Sequence, residues 1–143
     1  MAIINLTVDK GFVLHSATVD LVVDETLRLA KKKIEAEIDL ATVSLKRMQE
    51  LNKKYRHVDR PTDVLSFSWQ DSGKLKSGFL GEIIICLPYT AKQTKENKVS
   101  LKEELIRLIA HGTLHLVGFD HEKLKDEKVM FGIQEQVVQS TKH

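Results

Sequence analysis

SLKEELIRLIAHGTLHLVGFDH, the stretch from Ser100 to His121, encodes a helix together with its start and its end. Ser100, with Glu103 three residues on, forms a capping box, and the predicted helix runs from there to about Leu116. Leu101, Leu105, Leu108, Ile109 and Leu116 make an apolar stripe along it that asks for a core to face. His111 and His115 stand one turn apart and about 40° apart around the axis, so both imidazoles can reach one ion. They lie at the border of the stripe, which suits the wall of a cleft. Gly118 can take the positive φ that ends a helix and turns the chain back, bringing His121 toward the pair from outside the helix.

One histidine on a helix is ordinarily a surface or core-edge residue satisfied by a hydrogen bond. The i,i+4 pair, the helix-ending glycine and a third histidine three residues beyond it favour a metal site instead, with His111, His115 and His121 as ligands. Neutral imidazoles suit zinc, or another borderline divalent ion such as nickel, one per chain. Three of them leave the ion its full charge and an open coordination position. A structural zinc usually takes four protein ligands, commonly cysteines, and the one cysteine here, Cys86, falls in the apolar run Ile83-Ile84-Ile85-Cys86-Leu87, far from the cluster. An open site implies catalysis, and hydrolysis is its natural chemistry: a zinc ion lowers the pKa of a water to about 7 or polarises a phosphoryl oxygen.

Outward from the helix, the period-two alternation Ile4, Leu6, Val8 predicts a strand, and Val19, Val22, Val23, Leu27 and Ala30 predict a helix from Ser16 to about Lys33, its closing lysines suited to the negative end of the dipole. Thr42 to Leu45 reads as a second strand, Arg47 to Tyr55 as a short helix, Val64 to Phe67 as a third strand and Leu80 to Leu87 as a fourth. This last strand is nearly all apolar and therefore central. Residues 88–99 receive no element. Gly73, Gly78 and Gly81 with Asp71, Ser72 and Lys74 predict a mobile hairpin connection, and a final helix runs from about Lys123 to Gln139. The expectation is an α+β fold, a zincin-like single domain over residues 1–143 in which a mixed sheet of about four strands packs with helices and the metal site lies at the end of a central helix.

The composition fits that size: 143 residues, 42% apolar and 29% charged, suffice for a core without disulfide staples, and Cys86 reads as a small buried hydrophobe. A net charge of +2 names no partner, but Lys46 to Arg60 holds six basic residues against two acidic ones, a local excess that suits either a solvated helix face or an anionic polymer. The G-x-G-x-x-G and Walker patterns are absent, so no nucleotide cofactor is expected. No apolar stretch is long enough to span a bilayer and no targeting segment stands at the start, so the expected location is the cytoplasm, away from membranes.

The spacing from His111 to His121 matches the metzincin protease pattern H-E-x-x-H-x-x-G-x-x-H, except that Gly112 stands where the general-base glutamate belongs, which disfavours peptide hydrolysis. The same stretch closely resembles the YbeY family of bacterial endoribonucleases, whose signature is H-G-x-L-H-L-x-G-Y-D-H. Leu51-Asn52-Lys53-Lys54-Tyr55-Arg56, Pro61-Thr62-Asp63-Val64-Leu65-Ser66-Phe67 and Gly81-Glu82-Ile83-Ile84-Ile85 resemble further elements of that family, so the likeness extends over essentially the whole chain. It implies a single-strand-specific, metal-dependent endoribonuclease of ribosomal RNA maturation, at the 3′ end of the small-subunit RNA, and of ribosome quality control. Single-stranded RNA, ribosomal RNA and ribosomal subunits are the implied partners. His111, His115 and His121 would be the ligands, and Arg56 the functional arginine, gripping phosphate oxygens with parallel hydrogen bonds.

Asp63, Asn52 and Tyr55 also fit plain structural duties, capping a turn, satisfying backbone groups and packing, so only Arg56 is carried forward. Departures from the family pattern are Phe119 for tyrosine, Ser68 for proline, Glu82 for aspartate and His57 for glycine. Two rivals stand beside the nuclease: a zinc hydrolase of another substrate, and a non-catalytic RNA or ribosome assembly factor with a structural metal. The second gains from the lack of basic–aromatic interleaving, which leaves no evident base-stacking platform in the sequence.

Overall fold

A computed structural model describes residues 2–9, 14–32, 36–69, 78–119 and 123–142. The elements are β1 (Ile3–Thr7), α1 (Ser16–Leu29), β2 (Glu37–Thr42), α2 (Leu45–Arg56), β3 (Val64–Ser68), β4 (Phe79–Ile85), α3 (Leu87–Asn97), α4 (Leu101–Leu116) and α5 (Leu124–Thr141). The strands form one mixed sheet in the order β1-β2-β4-β3, parallel from β1 through β4 and antiparallel between β4 and β3. The expected α+β architecture, the four strands and the inner position of β4 all hold.

Strand alternation divides the apolar residues between two faces. Ile38, Leu40, Ile83 and Ile85, essentially without exposure, point into the main core with Val19, Val22, Val23 and Leu27 of α1, Ile106 and Ile109 of α4, and Val137 and Val138 of α5. On the other face Leu65 and the half-buried Ile84 meet Met48 and Leu51 of α2 and the fully buried Cys86. Burial pushes the Cys86 thiol pKa up, as expected of a small core hydrophobe. Helices α1, α4 and α5 therefore lie against one face and α2 against the other. Among the described residues no helix is long and apolar enough to cross a membrane.

Several boundaries differ from the sequence expectation. The second strand is Glu37–Thr42, not Thr42 to Leu45: its buried positions alternate at Ile38, Leu40 and Thr42, while the Ser44 hydroxyl accepts a hydrogen bond from Arg47 N at 3.2 Å and so caps α2. Helix α1 stops at Leu29 because Lys31 turns left-handed (φ 58), short of the expected lysine run; Lys33 and the connection over 70–77, including Gly73, lie outside the described residues. Helix α3 fills residues left without an element and takes Leu87 from the expected fourth strand, which ends at Ile85. Pro88 sits in its first turn, and its inward positions are Leu87, Thr90 and Thr94. Both threonine hydroxyls bond back to helix carbonyls, Thr90 to Cys86 O (2.9 Å) and Thr94 to Ala91 O (3.0 Å), which is how polar residues occupy a buried face. In α4, Ile106 rather than Leu101 serves the core; Leu101 is 40% exposed at the first turn.

Helix α2 ends on His57, whose φ of 61° lies in the left-handed region, the position where the family resemblance expects glycine. The imidazole is exposed. His57→Gly is expected to stabilise the fold by about 0.5–1 kcal/mol, the relief of left-handed strain exceeding the extra freedom of glycine in the unfolded chain. Urea unfolding checks it: the midpoint should rise with an unchanged m-value, and a lower midpoint would mean that the imidazole makes a stabilising contact.

Candidate metal centre

Helix α4 packs against α1, α3 and α5 and against strands β3 and β4. Its Ser100 hydroxyl accepts from Glu103 N at 3.3 Å, as the capping-box pattern requires, with Glu103 and Glu104 in the first turn where the dipole favours them. At the far end Gly118 (φ 103) closes a Schellman turn, its N–H bonded to His115 O (3.1 Å) and the Phe119 N–H to Leu114 O (3.1 Å). The helix-ending role read from Gly118 is thus observed.

His111 and His115 are both half-buried, as the border position implies, and their rings stand nearly perpendicular with centroids 4.5 Å apart. Their Nε2 atoms approach to 3.0 Å. The outer nitrogens determine what those atoms are. His115 Nδ1 lies 2.9 Å from the Phe119 carbonyl, which can only accept, so this nitrogen carries the proton. His111 Nδ1 lies 3.1 Å from Gln134 Oε1, and Gln134 Nε2 points to Glu135 Oε2 at 3.4 Å, the orientation that leaves the amide oxygen for His111. With both δ nitrogens donating, each neutral ring presents an Nε2 lone pair to the other. Lone pairs that close repel, and a proton or a metal ion between them would offset that repulsion. Two nitrogens on a tetrahedral zinc at 2.0–2.1 Å stand about 3.3–3.4 Å apart, so the pair needs to open by only a few tenths of an ångström.

The structure brings together two of the three expected ligands. His121 lies outside the described residues, among which no group of three or more His, Cys, Asp or Glu gathers to hold a metal. His111 also lines a cleft of about 220 Å³ with Asp63 and Val64 at the start of β3, Arg107 one turn earlier on α4, and Gln134 of α5. Arg107 anchors this wall: Glu135 grips its Nε through both carboxylate oxygens (2.9 and 3.0 Å), and Glu104 lies 3.5 Å away. The Glu135 hydrogen bond holds the Arg107 pKa above its usual value.

Arg56, at the end of α2, reaches round the outer strand of the sheet. One guanidinium nitrogen donates to Ser66 O of β3 (2.9 Å), and its carbon stands 5.3 Å from the centre of the Phe67 ring. One such bond occupies one of five N–H donors. Phe67 in turn meets Tyr55 edge-on at 5.1 Å, and Lys54 Nζ lies 5.1 Å from the Tyr55 ring centre. Lys54-Tyr55-Arg56 alternates cation and ring along the chain, and Phe67 of β3 extends that alternation in space. Asn52 donates to Arg60 O (2.8 Å) and Asp63 accepts from Val64 N (2.8 Å), the structural duties expected of them. Gln134 is the site residue that sequence reasoning missed, because its link to His111 spans 23 positions and carries no local pattern.

The chain is similar to known proteins over most of its length. The family described as Endoribonuclease YbeY matches residues 9–142. The chain is 43% identical over 102 residues to Endoribonuclease YbeY of Sulfurihydrogenibium sp. (strain YO3AOP1), covering 71% of this chain and 67% of that protein. It is 35% identical over 146 aligned positions to Endoribonuclease YbeY of Shouchella clausii (strain KSM-K16), covering 92% and 91%. A solution structure of TM1509 from Thermotoga maritima superposes with a TM-score of 0.68 at 30% identity, over 97% of this chain and 89% of that one.

Proposed function

Because the chain belongs to the Endoribonuclease YbeY family, we propose that it is a metal-dependent endoribonuclease cutting single-stranded RNA in the maturation of ribosomal RNA, at the 3′ end of the small-subunit RNA, and in ribosome quality control in the cytoplasm. His111, His115 and His121 hold one divalent ion in this reading, zinc by the chemistry of three imidazoles, with nickel as the next fit. The observation that carries it is the pair of Nε2 atoms converging to 3.0 Å, each ring's outer nitrogen engaged by an acceptor. A bound ion supplies Lewis acidity to a phosphodiester oxygen or to water.

The chain's own groups bind and orient the substrate. Arg56 is exposed beside β3, the strand whose far end packs on α4 through Ser68 Oγ to Leu116 O (3.5 Å), and its remaining donors suit the non-bridging oxygens of the scissile phosphate. The basic run from Lys46 to Arg60 follows the RNA backbone by charge, and Tyr55, 48% exposed, offers a ring to an unpaired base. Peptide hydrolysis finds no support, since Gly112 is buried against Ile83 and supplies no general base to the cleft.

Arg56→Ala is expected to keep its zinc while cutting of single-stranded RNA slows by about 10²-fold, and Arg56→Lys is expected to recover little of that, because an ammonium lacks the planar fork. Cleavage of single-stranded and duplex RNA, with zinc measured in the same samples, checks this. RNA bound but never cut by the zinc-loaded wild type would favour the assembly-factor role, and cleavage of casein a protease.

A further inference from the structure

We propose that Gln134 is a positioning residue that fixes His111 as its Nδ1–H tautomer, so that Nε2 is delivered to the site as a lone pair aimed at the one on His115. The metal consequence rests on the function proposed above; the tautomer assignment stands on geometry alone. Gln134 Oε1 accepts from His111 Nδ1 at 3.1 Å across the contact between α5 and α4. A glutamine amide can present either end, and a flipped amide would offer N–H to the ring, which would put the proton on Nε2 and spoil the ligand. Glu135 opposes the flip: its Oε2 takes the Gln134 amide N–H at 3.4 Å while both its oxygens are held by Arg107 Nε. Arg107 is itself tied to Glu104 on its own helix at 3.5 Å. The chain of bonds thus passes from a charged anchor on α4, through α5, back to the ligand one turn along α4. His115 is oriented differently, by the Phe119 backbone carbonyl at its Nδ1, so side-chain substitutions on α5 act on the outer nitrogen of one ligand and leave that of the other as an internal control.

A neutral acceptor has a chemical consequence as well. A carboxylate at this place would add negative charge to the imidazole and raise its basicity, whereas an amide orients the ring and leaves the charge of a bound cation undiminished.

The test uses the full chain labelled with ¹⁵N-histidine, first metal-free, then titrated with Zn²⁺ alone. In the wild type His111 Nδ1 should give the shift of a protonated ring nitrogen. Gln134→Leu should move the proton off Nδ1 of His111, leave His115 Nδ1, bonded to Phe119 O, protonated, and weaken zinc binding by about 10–100-fold. Gln134→Glu, which keeps an acceptor, should retain the wild-type tautomer and bind zinc more tightly than Gln134→Leu. Gln134→Ala repeats the first measurement should the leucine variant fold poorly. Unchanged His111 nitrogen shifts in both the leucine and alanine variants would overturn the proposal. Should the wild type bind no zinc while the tautomer still follows residue 134, the positioning role stands and the metal reading falls.

Discussion

His115→Ala should lose bound zinc on dialysis and lose RNA cleavage with it, by well over the 10–100-fold that removal of an outer hydrogen bond brings. The substitution deletes one of two Nε2 atoms that face each other at 3.0 Å, and a lone remaining helix imidazole cannot hold an ion by an i,i+4 grip. The fold should survive. His115 is half-buried, and its bond to Phe119 O contributes about 1 kcal/mol, while the Schellman turn is held by backbone bonds that the substitution leaves in place. Metal content by elemental analysis, cleavage of a labelled single strand and far-ultraviolet circular dichroism should be measured together on wild type and variant. Cleavage persisting in a zinc-free, folded variant would remove the metal from the proposed chemistry.

The second large effect concerns stability. Gly112→Glu restores the residue that the metzincin spacing asks for, and it should give an unfolded or insoluble protein rather than a protease. A Cβ at position 112 would stand 3.1 Å from three side-chain carbons of Ile83, a residue with no exposure, so even a methyl requires that isoleucine to give by a few tenths of an ångström. A carboxylate carried further in the same direction enters the apolar layer between α4 and β4. Overpacking costs about 1–3 kcal/mol and an uncompensated buried charge about 3–5 kcal/mol, together comparable with the roughly 5–15 kcal/mol that holds a domain folded. Gly112→Ala is the control. Its gain in helix propensity, about 1 kcal/mol, opposes the crowding, and its unfolding midpoint should stay near the wild type. A glutamate variant melting near the wild type would mean that position 112 looks into the cleft after all.

What could be read from the sequence was local. The capped start of α4, the Gly118 turn, the paired histidines one turn apart and the alternation of β1 are each encoded within a few residues, and each stands in the structure where the pattern put it. Helix α3 escaped because its buried positions are threonines, whose hydroxyls disappear into backbone hydrogen bonds only once the helix exists. The second strand was displaced because Thr42-Val43 has the branched side chains of a strand, although Ser44 is already committed to capping the next helix. Gln134 and the Arg56–Phe67–Tyr55 stack needed tertiary contact to come into view, since neither set of partners lies within one element. The third candidate ligand, His121, lies outside the described residues, so its part in the site rests on sequence and resemblance.

Helix α4 both fills the core and spaces the two imidazoles, so any ion held by them would be tied to the folding equilibrium. The unfolded chain does not hold those rings one turn apart, so any cation gripped by them binds the native state preferentially and shifts the melting transition by mass action. At a free concentration a hundred times the dissociation constant the shift amounts to about 2.7 kcal/mol. If the two imidazoles hold an ion, the resistance of this protein to heat would then be a property of its surroundings as well as of its sequence, rising and falling with the supply of that ion.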